Sequence, residues 1–239
     1  MIDNRAVSIY DPFAADYDAW ADHMTDDIGW YVGLAEKAAE PIVELAVGTG
    51  RVAIPIARET GKRVIGFDSS RAMLEIAERR AAGLPIELHL ADMRDFAVDG
   101  LVDLIICPFR SLLHLPTWRD RRRVFDRVAA VLRPGGRFAW NAFVFSAVVA
   151  VQHEGERLER RDGLWEEAHY VAADSRIELT RGRGDKTFGT LSLWWATKAE
   201  WEGLIDAAGL EVASLNGGFR GEPFTDDSGE FVWIARKPQ

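Results

Sequence analysis

Ile42-Val43-Glu44-Leu45-Ala46-Val47-Gly48-Thr49-Gly50-Arg51-Val52-Ala53 is the stretch that decides the fold. A short apolar run, Ile42 to Val47, enters a small glycine-bearing turn and passes straight into a helical pattern. A strand–turn–helix of this kind presents bare backbone N–H groups and a helix N-terminus to a nucleotide-like ligand. Eighteen residues after Gly50, a second apolar run from Arg63 to Phe67 ends at Asp68. A carboxylate there can accept two hydrogen bonds from a ribose diol. Gly48-x-Gly50-x-x-Ala53 also fits the dinucleotide fingerprint. The turn therefore points to an adenosine-type cofactor and leaves its identity open.

The same alternation continues on both sides of this unit. Residues 42–47, 63–67, 85–90, 101–107 and 137–145 read as strands, with a helix over 50–59 and helical spacing at Met73, Leu74, Ile76 and Ala77. Leu101 to Cys107 is nearly continuous in apolar residues, as a strand buried on both faces requires. Thr117-x-x-Asp120 caps a helix whose apolar face is Val124, Phe125, Val128, Val131 and Leu132, and Pro134-Gly135-Gly136 stops it. Strands alternating with helices at this spacing predict a parallel sheet covered on both faces. After about residue 152 the pattern changes. Segments 157–172, 175–183 and 187–196 alternate polar with apolar residues between turn signals, which reads as an antiparallel meander. Thr197-x-x-Glu200 opens one more helix, ended by Gly209, and runs 210–216 and 230–236 close the chain.

Composition narrows the function. With 239 residues and 48% hydrophobic content, the chain suits one large α/β domain with an elaboration. Its net charge of −9 and pI of about 5.1 lack the basic footprint of a nucleic-acid binder, so no nucleic-acid partner is expected. The single cysteine, Cys107, permits no intrachain disulfide and suits a reducing compartment. The first residues, with Asp3, Arg5, Asp11 and Asp16, carry no leader-like apolar core. The longest apolar candidate, 143–151, is far short of a membrane span. A cytoplasmic protein without a membrane partner is expected. His153 and His169 have no metal-ligand spacing with the cysteine or each other, and no metal is expected.

The order of motifs resembles the class I S-adenosylmethionine (SAM) dependent methyltransferases. Five landmarks carry the resemblance: Glu44-Leu-Ala-Val-Gly-Thr-Gly50, Asp68 at the acidic end of strand two, Ala91-Asp92-Met93 after strand three, Leu104-Ile-Ile-Cys-Pro108 as strand four, and Leu132-Arg-Pro-Gly-Gly136 before strand five. The meander and the ending Gly221-Glu-Pro-Phe-Thr-Asp-Asp-Ser228 look like the small-molecule branch with glycine and sugar-amine N-methyltransferases. The resemblance implies an α/β fold: a doubly wound, mostly parallel seven-stranded Rossmann-like sheet with a reversed last strand, plus a small antiparallel β elaboration. It implies an N-terminal helical lid at 1–34, a SAM-binding core at 35–152, an antiparallel insertion at 153–196 serving as cover or dimer surface, and the rest of the core at 197–239. A homodimer would use that surface.

The resemblance also implies roles at matching positions. Glu44 lies near the methionine amino group, and Ala46, Gly48, Thr49 and Gly50 line the methionine and ribose. Ala46 stands where the family has its first glycine. Asp68 serves the ribose, Ser69 beside it contacts the cofactor, Met73 packs near the adenine, Asp92 and Met93 read its edge, and Cys107 gives main chain at the mouth of strand four. Tyr17, in the lid segment Tyr10-Asp-Pro-Phe-Ala-Ala-Asp-Tyr17, touches the cofactor. S-adenosylhomocysteine is the product. His114, just past strand four, and Tyr10 are the catalytic candidates, since an imidazole there can take a proton from an amine or hydroxyl. His114 and Arg110 are the substrate candidates, Arg110 as a clamp for a carboxylate or phosphate. The expected reaction is methyl transfer to an oxygen or nitrogen of a small-molecule acceptor. The rival readings are a nicotinamide-dependent oxidoreductase, which has no Tyr-x-x-x-Lys pair here and no use for Asp92-Met93, and a SAM-binding protein without catalysis. The run Arg119 to Arg123 reads as a solvated helix face.

Overall fold

The structure, a computed structural model, describes residues 8–239. The chain opens with a 3-10 turn at Asp11–Phe13 and two helices, α1 (Tyr17–Ala21) and α2 (Asp26–Glu36). A seven-stranded sheet follows, built from β1 (Ile42–Leu45), β2 (Val64–Asp68), β3 (Ile86–Leu90), β4 (Val102–Cys107) and β5 (Leu132–Phe143), and completed by β10 (Glu211–Asn216) and β11 (Glu230–Arg236). The spatial order is β10-β11-β5-β4-β1-β2-β3. β1 to β5 are parallel, while β11 runs antiparallel to both β5 and β10. This is the doubly wound sheet with its reversed last strand.

Burial explains the order. Every residue of β1 and β4, the central strands, is buried, so their side chains are apolar on both faces except Glu44 and Asp103. One face packs against α5 (Trp118–Val131) and α7 (Lys198–Ala207) through Val124, Phe125, Val128, Trp201 and Leu204. The other packs against α2, α3 (Ala53–Thr60) and α4 (Arg71–Arg80) through Tyr31, Val32, Ile56 and Leu74. Caps set the helix starts: Ser70, Thr117 and Thr197 each accept a backbone N–H three residues on, and Thr197 with Glu200 closes a full capping box.

Between β5 and β11 the chain adds α6 (Ala147–His153) and a second sheet of β6 (Arg157–Glu159), β7 (Leu164–Val171), β8 (Arg176–Arg183) and β9 (Lys186–Trp194), antiparallel throughout. Three local readings differ from the sequence expectation. The Pro134-Gly135-Gly136 stop lies inside β5, because Gly135, at φ +76°, donates to Lys237 O and Gly136 O accepts from Lys237, stitching the turn into the sheet. Helix α6 lies past the strand read over 137–145, in a stretch given no element, with Ser146 as its N-cap. Arg121 is not on a solvated face. It is 4% exposed, donates to Trp194 O and lies over the Trp201 ring at 5.4 Å.

The N-terminal segment is tied to both sheets. Phe13, Tyr17 and Ala21 form one apolar cluster with Met73 of α4 and Leu164 of β7. Asp16 pairs with Arg183 at 2.5 Å and Trp20 donates to Glu166 at 2.9 Å, both on the second sheet. Asp18 accepts from Thr49 at 2.6 Å and Arg80 at 2.6 Å, and Asp11 accepts from Ser70 at 2.6 Å, all on the β1–α3 or β2–α4 side. The segment thus lies between the glycine turn and the four-stranded sheet.

Candidate active site

The carboxyl ends of β1, β2 and β4 converge on one place, as open α/β sheets dictate for a ligand site. After β1 the backbone is bent through left-handed residues: Ala46 at φ +56°, Gly48 at +56° and Gly50 at +82°. Left-handed φ is strained for alanine and free for glycine. That is the physical reason a glycine suits position 46, and Ala46 holds the bend at a cost of about 1–2 kcal/mol. At Gly50 an added Cβ would sit 2.8 Å from Ile54 Cδ1, so this position also needs close approach.

Asp68 is fixed behind this turn. Its carboxylate accepts the Gly48 N–H at 2.8 Å and the Ser70 N–H at 2.8 Å. Burial raises its pKa, and the N–H groups of Ser70, Gly48 and Ser69 oppose that rise. Glu44 is buried, and its Oε2 has no hydrogen-bond partner among the described residues. Burial holds its pKa well above the usual carboxylate range despite the nearby Arg51 charge. A buried carboxylate oxygen without a partner is costly. It is suited to receive an ammonium N–H.

Thr49 is fully buried under Asp18. Ser69 is exposed beside Asp68. Met73 is buried under the N-terminal segment with Tyr17. Cys107 is fully buried, and burial pushes its thiol pKa up, so it is not a nucleophile at neutral pH. Asp92 is less free than the sequence suggested: Oδ1 accepts the backbone N–H and Nε of Arg94, and Oδ2 accepts Arg94 Nη2 at 2.6 Å. Met93 is half-buried against the core beside it. Arg110 is likewise engaged, forking onto Glu230 with contacts of 3.2 and 2.7 Å. Glu230 also accepts from Asn141 at 2.7 Å. The clamp expected of Arg110 is therefore occupied by an internal carboxylate.

His114 and Tyr10 come together from positions 104 residues apart. The Tyr10 hydroxyl lies 2.9 Å from His114 Nε2, and the rings meet edge to face at 5.4 Å. His114 ends the 3-10 turn Ser111–His114, reached from β4 through Phe109 and Arg110, both in the left-handed region. Burial, with the Arg181 charge adding to it, brings the His114 pKa down to about 4. Burial raises the Tyr10 pKa against the lowering by Arg181, and raises that of Tyr17. Both phenols and the imidazole are therefore neutral at pH 7.

Sequence reasoning missed Arg181. It is 4% exposed on β8, with its guanidinium 4.2 Å from the Phe13 ring, 5.0 Å from Trp20 and 5.1 Å from Tyr10. The signal was present: Ile177, Leu179 and Arg181 alternate on one face of a strand, which puts an arginine at an inward position. Asp11 and Asp18, which fasten the N-terminal segment over the turn, carried no sequence signal of that kind.

The chain matches a family described as a methyltransferase domain over residues 42–136. It is 31% identical to the dTDP-4-amino-2,3,4,6-tetradeoxy-D-glucose N,N-dimethyltransferase of Saccharopolyspora spinosa, over 88% of this chain and 90% of that one. It is 24% identical to the cypemycin N-terminal methyltransferase of a Streptomyces species, over 96% and 98%. Among solved structures it resembles the CcbJ methyltransferase from Streptomyces caelestis, with a TM-score of 0.83, 23% identity and coverage of 98% and 99%. The chain belongs to the class I SAM-dependent methyltransferases. It is an enzyme that uses SAM to methylate a small molecule, and the oxidoreductase and non-catalytic readings fall away. Among the described residues, no helix is long and apolar enough to cross a membrane.

Proposed function

We propose that the acceptor atom is an amine nitrogen of a small molecule of the amino-sugar kind, and that the site is the one formed by Glu44, Asp68, Tyr10 and His114. The single observation that carries the nitrogen is the state of His114. An imidazole brought down to about 4 is a poor proton acceptor, and an alcohol needs a base before it attacks. A neutral amine attacks through its own lone pair. The long-range relatives named as N-methyltransferases support the same choice.

SAM, when bound, supplies a methyl group on a sulfonium already activated as a leaving group. The chain's residues fit that molecule: Glu44 Oε2 can accept from its ammonium, and Asp68 can accept from its ribose hydroxyls. In this reading Thr49, Ser69, Met73, the main chain at Cys107 and the Asp92-Met93 pair supply the remaining cofactor contacts. Tyr17 and Phe13, pressed on Met73, exclude water from it. Tyr10 and His114 hold the acceptor, and its orientation against the methyl supplies most of the rate. The lid segment 1–34, of which residues 1–7 lie outside the described residues, covers the site with β6 to β9 as its counterpart, within a cytoplasmic enzyme.

A matched pair of acceptors tests the reading. A dTDP-linked amino hexose and its analogue with hydroxyl in place of the amine are each incubated with SAM and the full chain. The expected result is N-methyl product from the first and none from the second. Methylation of the hydroxyl analogue alone would contradict the proposal.

A further inference from the structure

The hydrogen atoms around His114 have a direction, and it assigns that residue a task other than taking a proton. Arg181 is the starting point. Its guanidinium is buried with Nη1 unbonded, and among the described residues no carboxylate forms an ion pair with it. Its cross-strand neighbour, Glu166, is committed to Trp20 Nε1 and Arg160. What faces the charge is the ring cage of Phe13, Trp20 and Tyr10, and the Arg181 charge favours the electron-rich side of the Tyr10 phenol. A cation beside a phenol turns the oxygen lone pairs toward itself and the O–H away. The other polar atom at the Tyr10 hydroxyl is His114 Nε2, at 2.9 Å. Tyr10 therefore donates to Nε2, and Nε2 carries no proton.

A neutral imidazole has one N–H, so it sits on Nδ1. Nδ1 is buried and has no partner among the described residues. A buried donor without an acceptor is expensive, and such atoms in a ligand site mark where the ligand supplies the missing group.

We propose that His114 is a specificity-determining residue which donates a hydrogen bond from Nδ1–H to an oxygen of the acceptor next to the methylated atom, in a tautomer fixed by Tyr10 and Arg181. The substrate class follows. The acceptor carries a hydroxyl, carbonyl or carboxylate oxygen beside its amine, as an amino alcohol, amino sugar or amino acid does. This assignment rests on the proposed amine chemistry for its acceptor and stands on geometry for its tautomer.

Nitrogen-15 NMR of the labelled full chain at pH 7 reads the tautomer without any acceptor or turnover. The expected spectrum shows His114 with its proton on Nδ1. A proton on Nε2, or an imidazolium, would overturn the proposal. Tyr10→Phe keeps the ring over Arg181 and removes the hydroxyl, so the proton is expected to move toward Nε2, the usual preference of a free imidazole. An unchanged Nδ1–H in Tyr10→Phe would remove Tyr10 and Arg181 from the account. Kinetics with dTDP-linked amino hexoses that carry or lack the neighbouring hydroxyl complete the test. His114→Asn, whose amide N–H can replace Nδ1–H, is expected to keep the preference for the hydroxyl-bearing compound. His114→Leu is expected to lose it, with KM rising about 10- to 100-fold and kcat little changed. Equal loss of kcat in both variants would mean that His114 takes a proton and would overturn the donor role. If neither compound is methylated, the amine reading fails while the NMR result still decides the tautomer.

Discussion

Asp68→Ala is expected to weaken SAM binding by about 10²- to 10⁴-fold, from two charge-assisted hydrogen bonds of ~1.5–3 kcal/mol each. The carboxylate also anchors the turn, through the Gly48 N–H at 2.8 Å, so its removal loosens the backbone donors as well. Asp92→Ala is the matched control. Both Asp92 oxygens already serve Arg94, which is held in turn by Asp120 at 2.8 Å. A loss within about tenfold is expected there, the size of one shared hydrogen bond. Calorimetry on the two variants checks the order, and equal affinities for Asp68→Ala and the unaltered chain would refute the ribose assignment.

The second large effect is on stability against pH. His114 is neutral in the folded chain with a pKa of about 4, against about 6.5 when unfolded. The unfolded state therefore binds more protons between those values, and folding stability rises with pH across that window. The contribution is complete above pH 6.5 and is lost as pH falls toward 4. It amounts to ~3 kcal/mol at about 1.4 kcal/mol per pKa unit. Glu44, whose pKa is raised by burial, has the opposite slope, so the difference between chains is the readout. Denaturant unfolding from pH 7 to 4 is expected to show a shallower loss in His114→Leu than in the unaltered chain. Parallel curves would mean that His114 is not held as a buried neutral imidazole.

The parts of the fold that were legible in sequence are those where one strong local rule acts. Leu101 to Cys107 could hardly be anything but a strand buried on both faces, and Thr197 with Glu200 spelled out a helix start. Helix α6 was hidden because Val148, Val149 and Val151 are β-branched and exposed, so neither helix propensity nor an amphipathic stripe marked it. Pro134-Gly135-Gly136 stops a helix, yet its incorporation in β5 depends on Lys237, near the far end of the chain. The site divides in the same way. Gly48, Gly50 and Asp68 sit on one continuous β–α–β stretch, so spacing alone placed them together, and the family resemblance added Glu44 on the same stretch. The Tyr10–His114 contact and the Arg181 cage join three distant segments, and only packing brings those into register. For Arg110 and Asp92, residue type indicated charge but not the competing partners Glu230 and Arg94, and those partners change what each can do.

The central claim is that the Gly48–Gly50 turn, with Glu44 and Asp68, is a SAM site. Titration calorimetry of the full chain with SAM, S-adenosylhomocysteine, NAD and NADP tests it most directly. A saturable heat with the two sulfur-bearing nucleosides and none with the two nicotinamide dinucleotides is expected, because the unpartnered Glu44 oxygen suits an ammonium that the dinucleotides lack. Tighter binding of NAD or NADP than of SAM would contradict the account.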